Sequence, residues 1–175
     1  LRHFIAKDES KVILRQLRWE DLDDCLDFIN SLVDEGADIL REKPVTRDEE
    51  ADWLGKKLAS IEKGEVINVA AEVDRKVVAN SEVERRGGVM NHVGLLGIAI
   101  KKDYRGIGIG GELIKTLIEE SRKVGLKVLF LDVFESNDVA KRLYEKSGFR
   151  ENGRIPKGVL KKGKYIDLVR MTLEL

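Results

Sequence analysis

The spacing of apolar positions shifts several times along the chain, and each shift predicts an element. Residues Val12 to Leu17 carry β-branched side chains with no helical stripe and read as the first strand. Trp19, Leu22, Leu26, Ile29 and Val33 then recur every three to four residues, which puts them on one helix face, and Gly36 stands where that helix stops. A polar stretch through Pro44 leads to Thr46 and Glu49, a T-x-x-E capping box that satisfies free amides at a helix start. Ala51, Leu54, Leu58 and Ile61 make the inward stripe of this second helix, which ends near Gly64. Strands follow. Val66 to Val73 and Val77 to Arg85 are antiparallel partners across an Asp74-Arg75 turn, and Gly87-Gly88 turns the chain toward Val93 to Ile100. The glycine-rich run Arg105 to Gly111 opens a helix bearing Leu113, Ile114, Leu117 and Ile118, closed by Gly125. Lys127 to Val133 is strongly β-prone, and a crossover helix sets it parallel to Val93–Ile100 by a right-handed connection. Asn137 opens a short helix that Gly148 ends, and Tyr165 to Leu173 forms a last strand after a glycine-punctuated loop.

No repeat or linker breaks this order, so residues 1–175 read as a single α+β domain whose mixed sheet is antiparallel early and parallel at its centre. A chain of 175 residues buries about 70% of its unfolded surface, enough for a core without disulfides or metal. Its 32 Lys+Arg and 32 Asp+Glu cancel, which removes any bulk electrostatic case for nucleic acid or an acidic membrane. Cys25 stands alone, and two distant His residues add no metal-ligand spacing, so no metal is expected. Apolar stretches such as Val128 to Leu131 fall far short of the ~20 residues of a membrane span. Leu1 to Asp8 lack the apolar core of a signal peptide, and a cytoplasmic protein is the expectation. The 37% charged content with a single glutamine suits a thermophile or simply a well-solvated surface, and bears on no activity.

The chemistry starts at Arg105-Gly106-Ile107-Gly108-Ile109-Gly110-Gly111, between a strand and a helix. Without Cβ atoms, backbone amides can crowd a phosphate, and the free N–H groups of the helix start carry partial positive charge. A tight turn with no ligand is the plainer alternative. Gly106, Gly108 and Gly111 also match the G-x-G-x-x-G of dinucleotide folds, with Asp132 near the position of a ribose-binding acid. Lys101 to Arg105 separate these glycines from the strand, however, the upstream strands are antiparallel, and too few βαβ units remain. No G-x-x-x-x-G-K-[ST] loop occurs, so a P-loop nucleotidase is excluded.

Residues 105–110 fit the R/Q-x-x-G-x-G/A signature of the GNAT superfamily of N-acetyltransferases. About thirty residues on, Asn137, Ala140, Leu143, Tyr144, Glu145, Lys146, Gly148 and Phe149 resemble its second signature, N-x-x-A-x-x-L-Y-x-K-x-G-F. The resemblance covers nearly the whole chain and is weakest before Val66. It implies the three-layer acyl-CoA N-acyltransferase fold, with helices on both faces and central parallel strands that splay apart, the first often bulged. Splaying leaves backbone groups unpaired, and the pantetheine arm of acetyl-CoA, as co-substrate, would pair with them like an added strand. By resemblance, Gly97, Ile98, Ala99 and Ile100 would line that arm, and the pyrophosphate would sit over Arg105, Gly106, Ile107, Gly108, Ile109, Gly110 and Gly111. A backbone amide there could also polarise the thioester carbonyl. Asn137, Ala140 and Tyr144 share one helix face, which the resemblance turns toward the cofactor. Asn137 would touch the arm, Ala140 would permit close approach, and Tyr144 would protonate the departing thiolate. For Asn137 a plain N-cap, and for Tyr144 a packed aromatic, are the alternatives.

An amine attacks a thioester only when neutral, and an alkyl amine of pKa about 10.4 is rarely so at pH 7. Two carboxylates are candidate bases. Asp132 lies in Asp132-Val133-Phe134-Glu135-Ser136-Asn137, which resembles the E-V-R-x-S-N stretch of ribosomal-protein N-acetyltransferases, with Asp in place of Glu. Glu82, on the strand before the central one, ranks second, and either could be an ordinary strand charge. His92 reads as a structural turn residue and Cys25 as small core filler. The segment with Asp34, Glu35, Asp38 and Glu42 would draw a cationic acceptor to the mouth. The basic segment with Lys157, Lys161, Lys162 and Lys164 would draw a carboxylate-bearing one. Gly163-Lys164-Tyr165-Ile166-Asp167 with Met171 resembles a branch acting on small amines, amino acids or protein N-termini. The expected activity is acetyl transfer to a primary amine of a small molecule or peptide by direct attack in a ternary complex. An idle acyl-CoA sensor on the same scaffold and a dinucleotide module are the alternatives, and a homodimer is left open.

Overall fold

The computed structural model describes residues 2–175. Its elements run β1 (Arg2–Ile5), β2 (Lys11–Arg15), α1 (Leu22–Asp34), α2 (Arg47–Glu62), β3 (Val66–Val73), β4 (Lys76–Arg85), β5 (Val93–Ile100), α3 (Ile109–Lys123), β6 (Val128–Phe134), α4 (Asp138–Lys146), β7 (Arg150–Lys161) and β8 (Lys164–Glu174). The strands form one sheet in the order β1-β2-β3-β4-β5-β6-β8-β7, with β5 and β6 its parallel pair among the described residues. A single parallel pair excludes the dinucleotide fold, whose sheet is built of successive parallel crossovers.

Strand alternation distributes two cores. Leu14, Val69, Val83, Leu96, Leu129 and Leu131 point to the side covered by α3 and α4, where Leu113, Ile114 and Leu117 of α3 are fully buried. The opposite side holds a smaller core of Leu17, Leu22, Cys25, Leu54, Ala70 and Val77 beneath α1 and α2. These helices cover only the β2–β4 half of the sheet. That leaves the β5–β6 region open beside them, and the site lies there.

Three expectations are corrected. A strand, β1, precedes the one read from the sequence; it is only four residues long and half exposed, so it carries little apolar signal. The buried face of α1 is Leu22, Cys25, Phe28 and Leu32, rather than the stripe through Leu26, Ile29 and Val33, and Trp19 is exposed. Cys25 and Phe28 fit the same period one step round the helix, and the sequence does not say which step meets the sheet. The glycine-punctuated loop before the last strand is itself the 12-residue strand β7, an edge strand with mostly exposed side chains and register shifts around Gly153 and Pro156–Gly158. Polar sequence and bulges suit an exposed edge and hide it from periodicity. The α2 capping box forms as read: Thr46 Oγ1 accepts from Glu49 N at 3.3 Å, and Glu49 Oε2 accepts from Thr46 N at 2.8 Å.

Candidate active site

Strands β5 and β6 pair only at Val93–Val128, Gly94–Leu129 and Leu95–Phe130, then separate. The hydrogen-bond phase shows what the separation exposes. Lys101 N–H donates to the Val78 carbonyl and Arg86 N–H to the Val93 carbonyl, so odd-numbered residues of β5 face β4. The backbone polar groups of Leu96, Ile98 and Ile100 therefore turn into the gap. Likewise Glu135 N–H donates to Asp167 and Leu175 N–H to Lys127, so the backbone of Asp132 faces the gap from β6. Buried unmet, such groups would be costly, and an extended ligand with its own amides can pair with them. The β4–β5 register is continuous from Ala79–Ile100 to Arg85–Gly94, so the bulge that the resemblance suggests for β5 is not present.

The gap leads to the glycine loop. Gly106 and Gly108 have φ of 78° and 103°, a left-handed backbone that glycine adopts without penalty. The amides of residues 106–111 donate to no acceptor among the described residues, which makes a nest of free N–H groups at the start of α3. Two positions in the run have further work. The Arg105 side chain donates to the Ile100 carbonyl at 2.8 Å and pairs with Glu35, so it ties the loop to the end of β5 and to α1. A Cβ on Gly110 would lie 2.9 Å from Leu143 Cδ2 and 3.3 Å from Ile100 Cδ1, so Gly110 also lets α3 approach α4.

Asn137 is the N-cap of α4, its Oδ1 accepting from Ala140 N at 3.0 Å, while Nδ2 has no partner among the described residues. Ala140 is half-buried. Tyr144 is buried, edge-on to Phe149 at 6.0 Å between ring centroids, and burial pushes its phenol up to about 12.

A cavity of about 270 Å³ opens between α1, α2 and the β4–β5 pair. Phe28, Leu32 and Trp53 supply apolar wall, Gly97 and Ala99 form its floor beside the gap, and Glu82, Glu50, Glu49 and Arg41 bring charge. Lys57 Nζ donates to Glu82 Oε1 at 2.8 Å and lies 2.7 Å from the buried Oε2, so one ammonium serves both carboxylate oxygens. Burial raises the pKa of Glu50, whereas the Thr46 backbone N–H lowers that of Glu49. Cys25 also lines the cavity; burial pushes its thiol up to about 12, so it stays protonated at neutral pH and is no nucleophile.

The two carboxylates singled out in the sequence stand in one row across the sheet. Glu82 pairs with Gly97, and extending the parallel register puts Asp132 on the far side of the gap from Gly97. Their surroundings differ. Asp132 is held by both its oxygens to Arg170 at 2.8 Å and does not line the cavity. His92 is exposed at the closed end of the β5–β6 pair, away from the gap. The acidic and basic segments expected to act separately on the acceptor instead meet: Lys161 Nζ donates to the Gly36 and Ala37 carbonyls and to Asp38. Lys57, Glu50 and Arg41 do not read as members of one site in the sequence, since each looks like surface charge until α2 and the loop before it fold over β4. Among the described residues, no cluster of three or more His, Cys, Asp or Glu side chains could hold a metal, and no helix is long and apolar enough to cross a membrane.

The family model for the acetyltransferase (GNAT) family matches residues 29–149, which span the cavity wall, the gap, the amide nest and α4. Over 163 residues the sequence is 28% identical to an L-methionine sulfoximine/L-methionine sulfone acetyltransferase of Pseudomonas aeruginosa, covering 89% of this chain and 90% of that protein. The crystal structure of ribosomal-protein-alanine N-acetyltransferase from Brucella melitensis superposes with a TM-score of 0.83 at 27% identity, covering 93% of this chain and 99% of that one. An acetyltransferase from Salmonella typhimurium, solved with its cofactor acetyl-CoA, shares the fold with a TM-score of 0.82 at 22% identity over 94% of each chain.

Proposed function

The chain belongs to the acetyltransferase (GNAT) family and is an N-acetyltransferase; from that premise we propose that it moves the acetyl group of acetyl-CoA to a primary amine by direct attack, with both substrates bound. The observation that carries this reading is the β5–β6 gap. Ile98, whose backbone turns into the gap, also lines the cavity, and the free amides of residues 106–111 follow the end of β5. The residues suit the cofactor. A Cβ at Gly97 would meet nothing within 4 Å, so there is room for the arm beside β5, and the nest offers N–H groups to a diphosphate. When bound, acetyl-CoA supplies an activated acyl group on a good leaving group. The protein supplies the rest. Ile98 N–H polarises the acyl carbonyl, Asn137 Nδ2 holds the arm, and Glu82 Oε2 takes the proton of the attacking amine, directly or through a water. Each carboxylate has one cationic partner, Lys57 for Glu82 and Arg170 for Asp132, and in this reading Glu82 precedes Asp132 because Glu82 faces the cavity. Residues 1–175 act as one catalytic domain.

The acceptor is a small amine, an amino acid or a peptide N-terminus. The Pseudomonas relative, by its name, acts on amino-acid derivatives and the Brucella enzyme on a ribosomal protein, so the class spans both sizes. Calorimetric titration with acetyl-CoA tests the site; the expected result is one site per chain. No heat, together with no acetyl-CoA-dependent thiol release on any amine, overturns it.

Tyr144 stands as the hydrogen-bond donor to the leaving thiolate. With the phenol near 12 and a thiol of about 8.5, full transfer runs uphill by about 3.5 pH units, so Tyr144 acts mainly by holding a hydrogen bond to the developing charge. Tyr144→Phe is expected to lower kcat about 10–10³-fold with acetyl-CoA affinity nearly unchanged. The phenol keeps its proton on the acid side of its raised pKa, so Tyr144 contributes no basic limb to the wild-type profile below about pH 11. Equal turnover in wild type and Tyr144→Phe removes the role.

A further inference from the structure

One wall of the acceptor cavity is a loop with no regular structure of its own. Residues 35–46, between α1 and α2, form neither helix nor strand, yet Ile39, Arg41 and Val45 line the cavity. Asn30 of α1 secures the far end of this loop: Val45 N–H donates to its Oδ1 at 2.8 Å, and its Nδ2 donates to the Val45 carbonyl at 3.1 Å. The near end is secured from the other side of the gap. Lys161 Nζ donates to the Gly36 carbonyl at 2.9 Å, to the Ala37 carbonyl and to Asp38 Oδ1 at 3.0 Å, and lies 5.4 Å from the centre of the Phe134 ring. The next residue, Lys162, adds a backbone N–H to Glu42 at 3.4 Å.

Lys161 ends β7 and Phe134 ends β6, so both belong to the half of the sheet across the gap from α1 and its loop. Strands β5 and β6 pair only from Val93 to Leu95 and are parted at this end, and here the ammonium bridges the two halves. It has three protons, and each finds an oxygen. Two of those oxygens lie just past the C-terminal end of α1, where the helix favours a cation, and the ring adds a cation–π contact. Lys157, Lys162 and Lys164 of the same basic segment are exposed, whereas the Lys161 side chain is 12% exposed. With its donors spent in this way, Lys161 has none left for a carboxylate on the acceptor.

Resting on the acetyl-transfer reading above, we infer that Lys161 is a positioning residue for the acceptor: it pins the loop that carries Ile39 and Arg41 and thereby sets acceptor affinity. It acts through the loop and takes no part in the chemistry. Without the ammonium, the loop keeps its Asn30 anchor but loses three charge-assisted hydrogen bonds at the other end. An acceptor must then order the loop as it binds, and that ordering weakens affinity without slowing the step that follows. The fold should withstand the change, because the Asp38 side chain is 32% exposed and water can serve its freed oxygen.

The test measures thiol release by the full chain while acetyl-CoA and one acceptor are varied in turn. The acceptor is whichever of L-methionine sulfone, L-lysine, spermidine and an alanine-leading peptide the wild type acetylates best. Lys161→Met is expected to raise the acceptor KM about 10–100-fold, with kcat and the acetyl-CoA KM within about twofold of wild type. Lys161→Arg should recover part of the loss, since a planar guanidinium keeps the charge but not the three-way donation. Asp38→Asn should move the acceptor KM the same way by a smaller factor, and it carries the test should Lys161→Met fold poorly. Lys164→Met removes an exposed charge with no hydrogen bond or ion pair among the described residues, and should change nothing. An acceptor KM unmoved in both Lys161→Met and Asp38→Asn overturns the inference. So does an acetyl-CoA KM that rises in step, which would mean general loosening, or a Lys164→Met loss as large, which would mean bulk attraction by the basic segment. Wild-type turnover of none of the four amines overturns it as well. Calorimetry on the wild type separates the cases: intact acetyl-CoA binding confines the failure to the role of Lys161, whereas no binding sinks the catalytic reading beneath it.

Discussion

Glu82→Gln is expected to lower kcat/KM about 10²–10⁴-fold at neutral pH, the range for loss of a positioned general base. Glutamine keeps the size of the side chain and can still hydrogen-bond, so the cavity keeps its shape and acetyl-CoA titration should give the wild-type affinity. What disappears is the carboxylate that faces the cavity, ion-paired there with Lys57. The deficit should shrink as pH rises, because an alkyl amine near 10.4 loses its own proton more often and needs less help. Asp132→Asn provides the contrast. It breaks an ion pair with Arg170 that is partly solvent-exposed, so less than about a tenfold change is expected. Steady-state thiol release from pH 7 to about pH 10 checks both. If Asp132→Asn carries the large loss while Glu82→Gln turns over normally, the proton leaves across the gap instead, and the cavity-side assignment is wrong.

The ranking of those two carboxylates shows where sequence reasoning stops. By sequence Asp132 comes first, because it sits five residues before Asn137 within a stretch that resembles a known one, and sequence neighbours are all such a stretch reports. Arg170 lies 38 positions away and meets Asp132 only because β8 inserts beside β6 in the sheet. Lys57 and Glu82 are 25 apart and meet because α2 lies across β4. Local signals hold well: the Thr46–Glu49 box, the Asp74-Arg75 turn and the glycine loop each depend on residues within a few positions of one another, and each forms where expected. The splayed pair is legible only through the family resemblance, because residues 93–100 and 127–133 read the same whether paired or parted. What stays hidden is rotation and edges. Residue period gives the pitch of α1 but not which face meets the sheet, and a solvent-washed edge strand such as β7 has no apolar alternation to read. The same blindness hides Glu50, a charged residue on a polar helix whose burial is decided by α1 and the loop before α2.

The largest loss of stability from a single side chain is expected at Arg15. It ends β2 on the side beneath α1, donates to both oxygens of Asp21 at 2.7 and 2.8 Å, and reaches Glu72 at 2.6 Å, with Arg15 and Asp21 each under 10% exposed at the side chain. The two carboxylates hold the guanidinium pKa well above its ordinary value. Asp21 in turn accepts from Arg18 N at 2.8 Å and stands directly before α1, so the cluster fastens the start of that helix to the sheet. Arg15→Met removes the cation but leaves Asp21 and Glu72 in place, two carboxylates with little solvent and only the exposed Arg18, at 3.9 and 3.8 Å, as remaining counter-charge. Breaking a buried pair this way costs about 3–5 kcal/mol, which for a chain of this length lowers Tm by roughly 10 °C. The penalty comes from the stranded charges rather than from the lost attraction, and a second variant separates the two. Arg15→Met combined with Asp21→Asn and Glu72→Gln should recover a good part of the loss, because no unpaired charge then remains buried. Thermal unfolding of the wild type, the single variant and the triple variant decides it. A triple variant less stable than the single one would mean that hydrogen bonding by the carboxylates, and not charge compensation, secures α1. Because α1 supplies Phe28 and Leu32 to the cavity wall, the single variant should also lose acceptor affinity before it loses acetyl-CoA, which is held on the other side of the gap.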